Sequence, residues 1–542
     1  MPDLHALITA VALSIPLVAA AETPYAIPPA EAIRVDRVLE PGWHFATALQ
    51  AQAAARGALQ LLTPVGTPVT GIVKVTGTTA VFEPAAPLAG CTRYTLQLLR
   101  APAQRTLRNS FTTACSTWSE PVEIDDAHTA HQVDRPASGA EVVAGKQGRA
   151  VAAWFQSNGQ RNAIFASRYP AQTDFWSAPQ ALDLSGGGAA DVPALVADGQ
   201  GRVTAAWFQA LGGRTAIFAC RLDAGGGCPA PVRLDDPGVR GNAANPQLAA
   251  DGLGNVVTVW QQPDGHHTAI FAARWTQAQQ RWRRAQALDR SPANAYDVVI
   301  AAIGGGGFLS AWEQGKRGHE AIWASILPGP TANWSAPRRI SPAGVRALHP
   351  ALAMDPRGGA ALAWVQGIGR ARRIAATRLD ASFQHEGTAA VMASAAFPGA
   401  ALAPALAVDA AGNITLAWEE ADAQGRDAIL VSRMDGVTRH WNAAVRIDDA
   451  RLASAGNPVL AVDPAGNVTC AWYQDSAHGM QIQAARLDPE SKRWTAPVEL
   501  SDPRRTIQAS LPALAVDSAG SVTAVWQQYN GWRTIVMASR LP

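Results

Sequence analysis

Charge is scarce in this sequence. Only 16% of its residues are charged, and 45 basic against 43 acidic side chains leave a formal net charge of +2. That balance excludes partners held by bulk charge, so neither nucleic acid nor an anionic membrane surface is expected. After the N-terminus no apolar run reaches the ~20 residues that a spanning helix needs. Cysteine is rare, at five in 542 residues, which excludes a dense disulfide scaffold. Catalytic and ligand motifs are missing as well: there is no G-x-S-x-G, P-loop, EF-hand, paired-Cys zinc motif or H-x-x-x-H. The Gly run at 304–307 precedes no helical pattern and is a turn, not a phosphate loop. The D-x-x-G-N turns offer one Asp each, too few ligands for calcium. No cofactor or metal is expected from any of these.

What is present is turn chemistry and tryptophan. The chain holds 47 Gly, 37 Pro and 18 Trp, and 48% of it is hydrophobic, a composition suited to many short strands. Eight of the Trp recur with regular spacing: 154, 207, 260, 312, 364, 418, 472 and 526. Each is followed two residues later by Gln, or once by Glu420, as in "TAAWFQ", "LSAWEQ", "TLAWEE" and "TAVWQQ". Such self-similarity marks one supersecondary unit written repeatedly. Each unit reads as four strands. One begins at an aromatic ("WSAPQAL", "WTAPVEL"). The next follows Pro ("PALAVD"), a D-x-x-G-N turn leads into the Trp strand, and a fourth closes the unit ("AIFASR").

Four strands per ~50 residues is the pattern of a β-propeller blade. The stretch 118–542 holds eight such units, and the last lacks its outer strand, which "WSEPVEI" at 118–124 can supply. The expected fold is therefore all-β, an eight-bladed propeller over 116–542 closed by strand 118–124. The Trp should fill the wedges between blades. The Gln that follow should hydrogen-bond backbone at the rim. Asp sits nine residues before the Trp in six units (Asp198, Asp251, Asp355, Asp409, Asp463, Asp517). The same units carry Arg221, Arg274, Arg378, Arg433, Arg486 and Arg540. The fourth unit loses both, with Ile303 and Ile326, so a structural Asp–Arg clamp is expected.

Upstream, an apolar stretch from Leu7 to Val18 runs into Ala19-Ala20-Ala21, the pattern of a secretory signal over 1–21. Export to the periplasm or the extracellular space follows. Disulfides fit that compartment: Cys91 with Cys115, symmetric about residue 103 in a hairpin, and Cys220 with Cys228 across a short loop. Cys470, within a strand pattern, reads as a buried free thiol.

The repeats resemble those of sialidase-like propellers with the Asp-box (BNR) motif S-x-D-x-G-x-T-W. Here the box is degenerate, as in "RLDPESKRW" and "RMDGVTRHW", while the aromatic and the following S-x-P or T-x-P strand persist. That family uses three Arg, a Tyr–Glu pair and an Asp acid, for which this sequence shows no counterpart pattern. Residues 22–115 resemble a bacterial Ig-like domain through "TPVTGIVKVTGTTAVFEPAAPLAGCTRYTLQLL" and "NSFTTA". The resemblance implies a β-sandwich of the spacer or adhesive kind.

Function on such a scaffold belongs to the variable loops. The residues just before the innermost strands should ring the channel mouth: Gly139, Val192, Asn245, Asp297, His349, Ala403, Asn457 and Leu511. Three adjacent units place Asn245, Asp297 and His349 there, with Tyr296 alongside. Nearby loops add His266 and His267, then Lys316, Arg317 and His319. A second candidate is "YNGWR", where Tyr529 and Trp532 can stack on sugar rings. The expected function is a non-catalytic binding or scaffold protein of the cell envelope, a monomer recognising a glycan or protein. The alternative is a sialidase-like carbohydrate-active enzyme, a glycoside hydrolase. An enzyme would show paired carboxylates in the channel mouth, or a Tyr–Glu pair beside Arg.

Overall fold

The computed structural model describes most of residues 118–542 and, before them, eight strands between residues 25 and 113; residues 1–24 and several short stretches lie outside the described residues. The expected signal segment and both Cys91 and Cys115 are among those left out. Contacts divide the chain into two compact units, one of residues 1–87 and 93–114, the other of 88–92 and 115–542. No helix among the described residues is long and apolar enough to cross a membrane.

The smaller unit is built of two four-stranded sheets. One contains the hairpin Gly71–Thr76 with Thr79–Pro84, and the other the hairpin Arg93–Leu98 with Leu107–Thr113. Leu59 and Leu61 on one strand and Leu96 and Leu98 on another are buried on the period of two, which gives the unit its apolar interior, with Gln97 buried between the last pair.

The larger unit is all-β and of propeller type. Successive antiparallel sheets run inner strand, Trp strand, third strand, short outer strand. A representative set is Ala190–Ala197, Val203–Leu211, Arg214–Arg221 and Val232–Arg233. The D-x-x-G turn between the first two strands follows from its residues. Asp198 Oδ1 accepts the backbone N–H groups of Gln200 (2.9 Å) and Arg202 (3.0 Å), and Gly201 takes the left-handed φ of 79°.

All eight repeated Trp are fully buried, at 0% exposure. Each packs against the preceding sheet. Trp207 shares a cluster with Ile164 and Ala166, and Trp526 with Ile482 and Ala484. Trp154, in the first repeat, packs with Val525, Val536 and Ala538 of the last. The strand Val122–Glu123 pairs with the C-terminal strand Thr534–Leu541, Met537 lying opposite Glu123. Burying one indole is worth ~4–6 kcal/mol by area, before chain entropy is charged against it.

The Trp-x-Gln phrase has a reason the sequence did not reveal. In every repeat the indole N–H donates to the side-chain oxygen two residues on, at 2.8–3.4 Å. The amide NH2 then donates to loop carbonyls, as Gln209 does to Leu184 (2.9 Å) and Gly188 (3.2 Å). The Gln are largely buried, not rim groups, which corrects that expectation. A buried indole N–H needs an acceptor, and residue i+2 on the same strand face is the nearest place to put one.

The Asp–Arg clamp forms in five of the six units that carry both residues. Asp198–Arg221 (2.8 Å), Asp409–Arg433 (2.5 Å) and Asp517–Arg540 (3.7 Å) are joined by Asp355–Arg378 and Asp463–Arg486. Arg274 is the exception: it donates to the Gly329 carbonyl (3.2 Å), while Asp251 is held by Asn255 (2.6 Å). A second set of pairs went unforeseen. Asp183, Asp235, Asp448 and Asp125 each stand beside an Arg, namely Arg161, Arg233, Arg446 and Arg533. Cys220 and Cys228 are joined as a disulfide. Cys470 is a buried free thiol, and burial pushes its pKa up.

Candidate functional site

All eight residues expected at the channel mouth share one backbone anomaly. Gly139, Val192, Asn245, Asp297, His349, Ala403, Asn457 and Leu511 have φ between 47° and 62°. Each sits where the pairing of inner strand and Trp strand slips, for example between Tyr296 and Val299 or Leu348 and Ala351. A bulge of this kind adds one residue and re-aims its side chain. Left-handed φ costs a non-Gly residue ~1–3 kcal/mol, and Val192 is β-branched besides. Seven non-Gly residues hold this strained conformation, the kind of local strain that clusters at functional sites.

Two neighbouring bulges bring chemistry together. His349 Nδ1 lies 2.7 Å from Asp297 Oδ2. The backbone N–H of His349 donates to Glu313 Oε2 at 3.1 Å. One ligand-type atom from each of Asp297, Glu313 and His349 lies within 4.8 Å of the others, a set that could hold a cation. The environments differ sharply. Asp297 and His349 are exposed, whereas Glu313 is only 8% exposed. Burial pushes the Glu313 carboxyl above the usual carboxylate range, and the Asp297 charge adds to the effect. The hydrogen bond to Asp297 raises the His349 imidazole.

Glu313 occupies the position immediately after a repeated Trp. In this series stand Phe155, Phe208, Gln261, Glu313, Val365, Glu419, Tyr473 and Gln527. Glu313 reaches the next repeat's bulge at His349, whereas the Phe155 ring and the Tyr473 hydroxyl lie against Gly139 and Gly456 of their own repeats. Glu419 repeats the Glu313 arrangement, with Oε2 accepting the Asn457 N–H at 3.2 Å. Burial raises its carboxyl too, while Arg372 acts to lower both Glu419 and His349. Tyr473 belongs to the same place. A Cβ on Gly456 would lie 2.5 Å from the Tyr473 hydroxyl and 2.7 Å from Glu419 Oε2, so glycine makes room for the pair. Burial raises the Tyr473 hydroxyl, and Glu419 adds its charge.

The other candidates fall elsewhere. Asn245 takes the equivalent bulge one repeat earlier, and Tyr296 precedes Asp297 with 37% exposure. His266 and His267 give their backbone N–H groups to Asp264, and the His267 ring lies between Asp264 (3.4 Å) and Asp289 (3.5 Å). His267 thus stands where other repeats set an Arg beside the equivalent Asp. His319 closes a turn onto the Lys316 carbonyl (2.8 Å), and no contact among the described residues joins Lys316, Arg317 or His319 to the Asp297 cluster. Tyr529 donates to Gly531 O (2.9 Å), and Trp532 stands 78% exposed on the same tight loop. Glu313, Glu419 and Tyr473 escaped the sequence reading. The signal was there in "LSAWEQ" and "TLAWEE": a variable residue beside an invariant one.

No protein-family model matches the sequence, and no curated protein does. Solved structures do resemble the fold. A protein of unknown function from Dyadobacter fermentans is 12% identical, covers 78% of this chain and 98% of its own, and has a TM-score of 0.39. The polysaccharide lyase Uly1 is 7% identical, with 78% and 93% covered and a TM-score of 0.44. The alpha-L-arabinanase of Penicillium chrysogenum, solved with arabinobiose, is 10% identical, with 69% and 98% covered and a TM-score of 0.38. At such values the likeness concerns architecture alone. The expectation of a non-catalytic scaffold is corrected on the site itself: Asp297 and Glu313 stand together, the paired carboxylates set out above as the mark of an enzyme.

Proposed function

We propose that this protein is a carbohydrate-active enzyme, a glycoside hydrolase working at the mouth of an eight-bladed, sialidase-like propeller. In this reading an Ig-like module precedes the propeller and the chain is exported, a location that the Cys220–Cys228 disulfide supports. One observation carries the functional part: Asp297 and Glu313 offer oxygens within 4.8 Å of each other in unlike surroundings. Two close carboxyl groups, one exposed and the other raised by burial, suit glycosidic cleavage with retention.

Glu313, whose carboxyl is raised by burial, acts as the acid and gives its proton to the departing glycosidic oxygen. Asp297, exposed and oriented by His349, attacks the anomeric carbon as the bond to that oxygen breaks. Water then attacks the same carbon, Glu313 takes the water proton, and Asp297 is released. Glu419, Tyr473 and Arg372 line the mouth beyond and position the sugar.

The test is hydrolysis of a panel of aryl glycosides and polysaccharides, including arabinan and ulvan. Glu313→Gln and Asp297→Asn should each lower the rate about 100-fold or more on the cleaved substrate. A wild-type protein that cleaves none of the panel, or variants that keep its rate, would overturn the proposal.

A further inference from the structure

Three repeats join the Trp strand to the third strand through the same tight loop, written "SNGQR", "PDGHH" and "YNGWR". In each, a side-chain oxygen at the second position accepts the N–H groups of the last two residues. Asn158 takes those of Gln160 and Arg161, Asp264 those of His266 and His267, and Asn530 those of Trp532 and Arg533. The last residue then meets a buried Asp: Arg161 pairs with Asp183, and Arg533 with Asp125. The third repeat departs from this pattern at two places together. His267 stands for the Arg and Asp264 for the Asn, so an imidazole lies between two carboxylates. Its Nδ1 is 3.4 Å from Asp264 Oδ2 and its Nε2 is 3.5 Å from Asp289 Oδ2. Nδ1 is buried and has no hydrogen-bond partner, so only charge ties it to Asp264.

Arg keeps its charge at every pH the protein meets, whereas an imidazole exchanges its proton near neutrality. Charged, the ring offers a donor to each carboxylate. Neutral, it turns a lone pair toward one of them and leaves Asp289, whose side chain is 0% exposed, without a counter-charge. The charged groups facing the ring among the described residues are Asp264 and His266 on its own loop and Asp289 on the next. Gln314, from the fourth repeat's Trp strand, is uncharged.

Asp289 in turn holds the segments that carry the candidate site. Its Oδ1 accepts the Ile270 N–H (2.8 Å), and its Oδ2 accepts the Gln314 NH2 (2.9 Å). Gln314 follows Glu313 in the chain. The loop after Asp289 leads into the strand Ala295–Ile303, which carries Asp297. That loop is pinned at Asn294, whose side chain accepts the Thr268 N–H (2.8 Å) and whose carbonyl accepts the Gly315 N–H (3.2 Å).

We infer that His267 is a positioning residue operated by pH: charged, it fixes the Asp289 loop and Gln314, and with them Asp297 and Glu313; neutral, it releases them. Its bearing on turnover rests on the glycosidase reading, and the latch itself does not.

Hydrogen exchange on the full chain, read over peptides spanning 264–297, compares wild type, His267→Arg, His267→Gln and His266→Gln at about pH 5.5 and about pH 8. Two other repeats hold Arg at this place in the loop, so His267→Arg is expected to fold. At the lower pH it should exchange as wild type does. At the higher pH wild type should exchange at least about fivefold faster than His267→Arg, and as fast as His267→Gln. The exposed neighbour replaced in His266→Gln should change neither result. Equal exchange of wild type and His267→Arg at the higher pH, or loss of the difference in His266→Gln, overturns the latch. On a cleaved substrate, His267→Arg should raise kcat/KM about threefold or more at the higher pH and leave it unchanged at the lower. A ratio that does not change with pH overturns the link to turnover. A protein that cleaves no glycoside overturns the enzyme reading, and the exchange result alone then decides the latch.

Discussion

The Trp418 indole donates its N–H to Glu420 Oε2 at 2.8 Å. Seven other repeats make the same bond to a Gln. Glutamate cannot supply the NH2 that Gln gives to loop carbonyls, and Glu420 Oε1 is buried without a partner. Burial raises the Glu420 pKa. Its native state therefore holds a proton more tightly than the unfolded chain does. The contribution is most favourable below the unfolded value, and stability falls as pH rises through the raised native value. Glu420→Gln should stabilise the protein at neutral pH by ~1 kcal/mol and flatten that decline. Denaturation midpoints of both proteins at mildly acidic and alkaline pH check it.

Trp260→Ala should cost ~3–5 kcal/mol, because a side chain at 0% exposure leaves a cavity between sheets and strands the Gln262 oxygen. The same change at the exposed Trp532 should move stability by less than ~0.5 kcal/mol. Denaturant titration of the two variants separates buried from displayed indoles.

Asp198 is buried, which works to raise its carboxyl, but hydrogen bonds from Arg202 and Arg221 outweigh this and hold it below the usual value. Its contribution is present above the unfolded pKa and lost as pH falls through the native one. Asp198→Asn should cost ~2–3 kcal/mol at neutral pH and progressively less in acid. Acid unfolding curves of variant and parent should converge.

In the glycosidase reading, Gly456→Ala should impair turnover while leaving the fold intact. The added methyl meets the Tyr473 hydroxyl and Glu419 Oε2, and both must move. Gly456 itself is not in the left-handed region, so its backbone accommodates alanine. The expected signature is a fall in kcat/KM with an unfolding midpoint within a few degrees of wild type.

The repeats were legible because they are written in one-dimensional signals: a regular Trp spacing, D-x-x-G turns, and an Asp–Arg pair lost jointly at Ile303 and Ile326. Even the eight residues that share the bulge could be picked out together, since every inner strand begins at the same point of its repeat. The left-handed φ of those residues could not, because Val192 and Leu511 carry no local preference for it. Only pairing with the Trp strand imposes the bulge.

Sequence by itself determined the strand order, the buried indoles and which residues stand at the bulges, because hydrophobic period and turn chemistry act along the chain. Tertiary structure alone decided which of them meet. Asp297 and His349 are 52 residues apart and touch because adjacent inner strands carry matching bulges. Glu313 and Glu419 were drawn against the bulges at His349 and Asn457 through the packing of neighbouring sheets. Burial is a property of the assembled sheets, and no stretch of sequence states it.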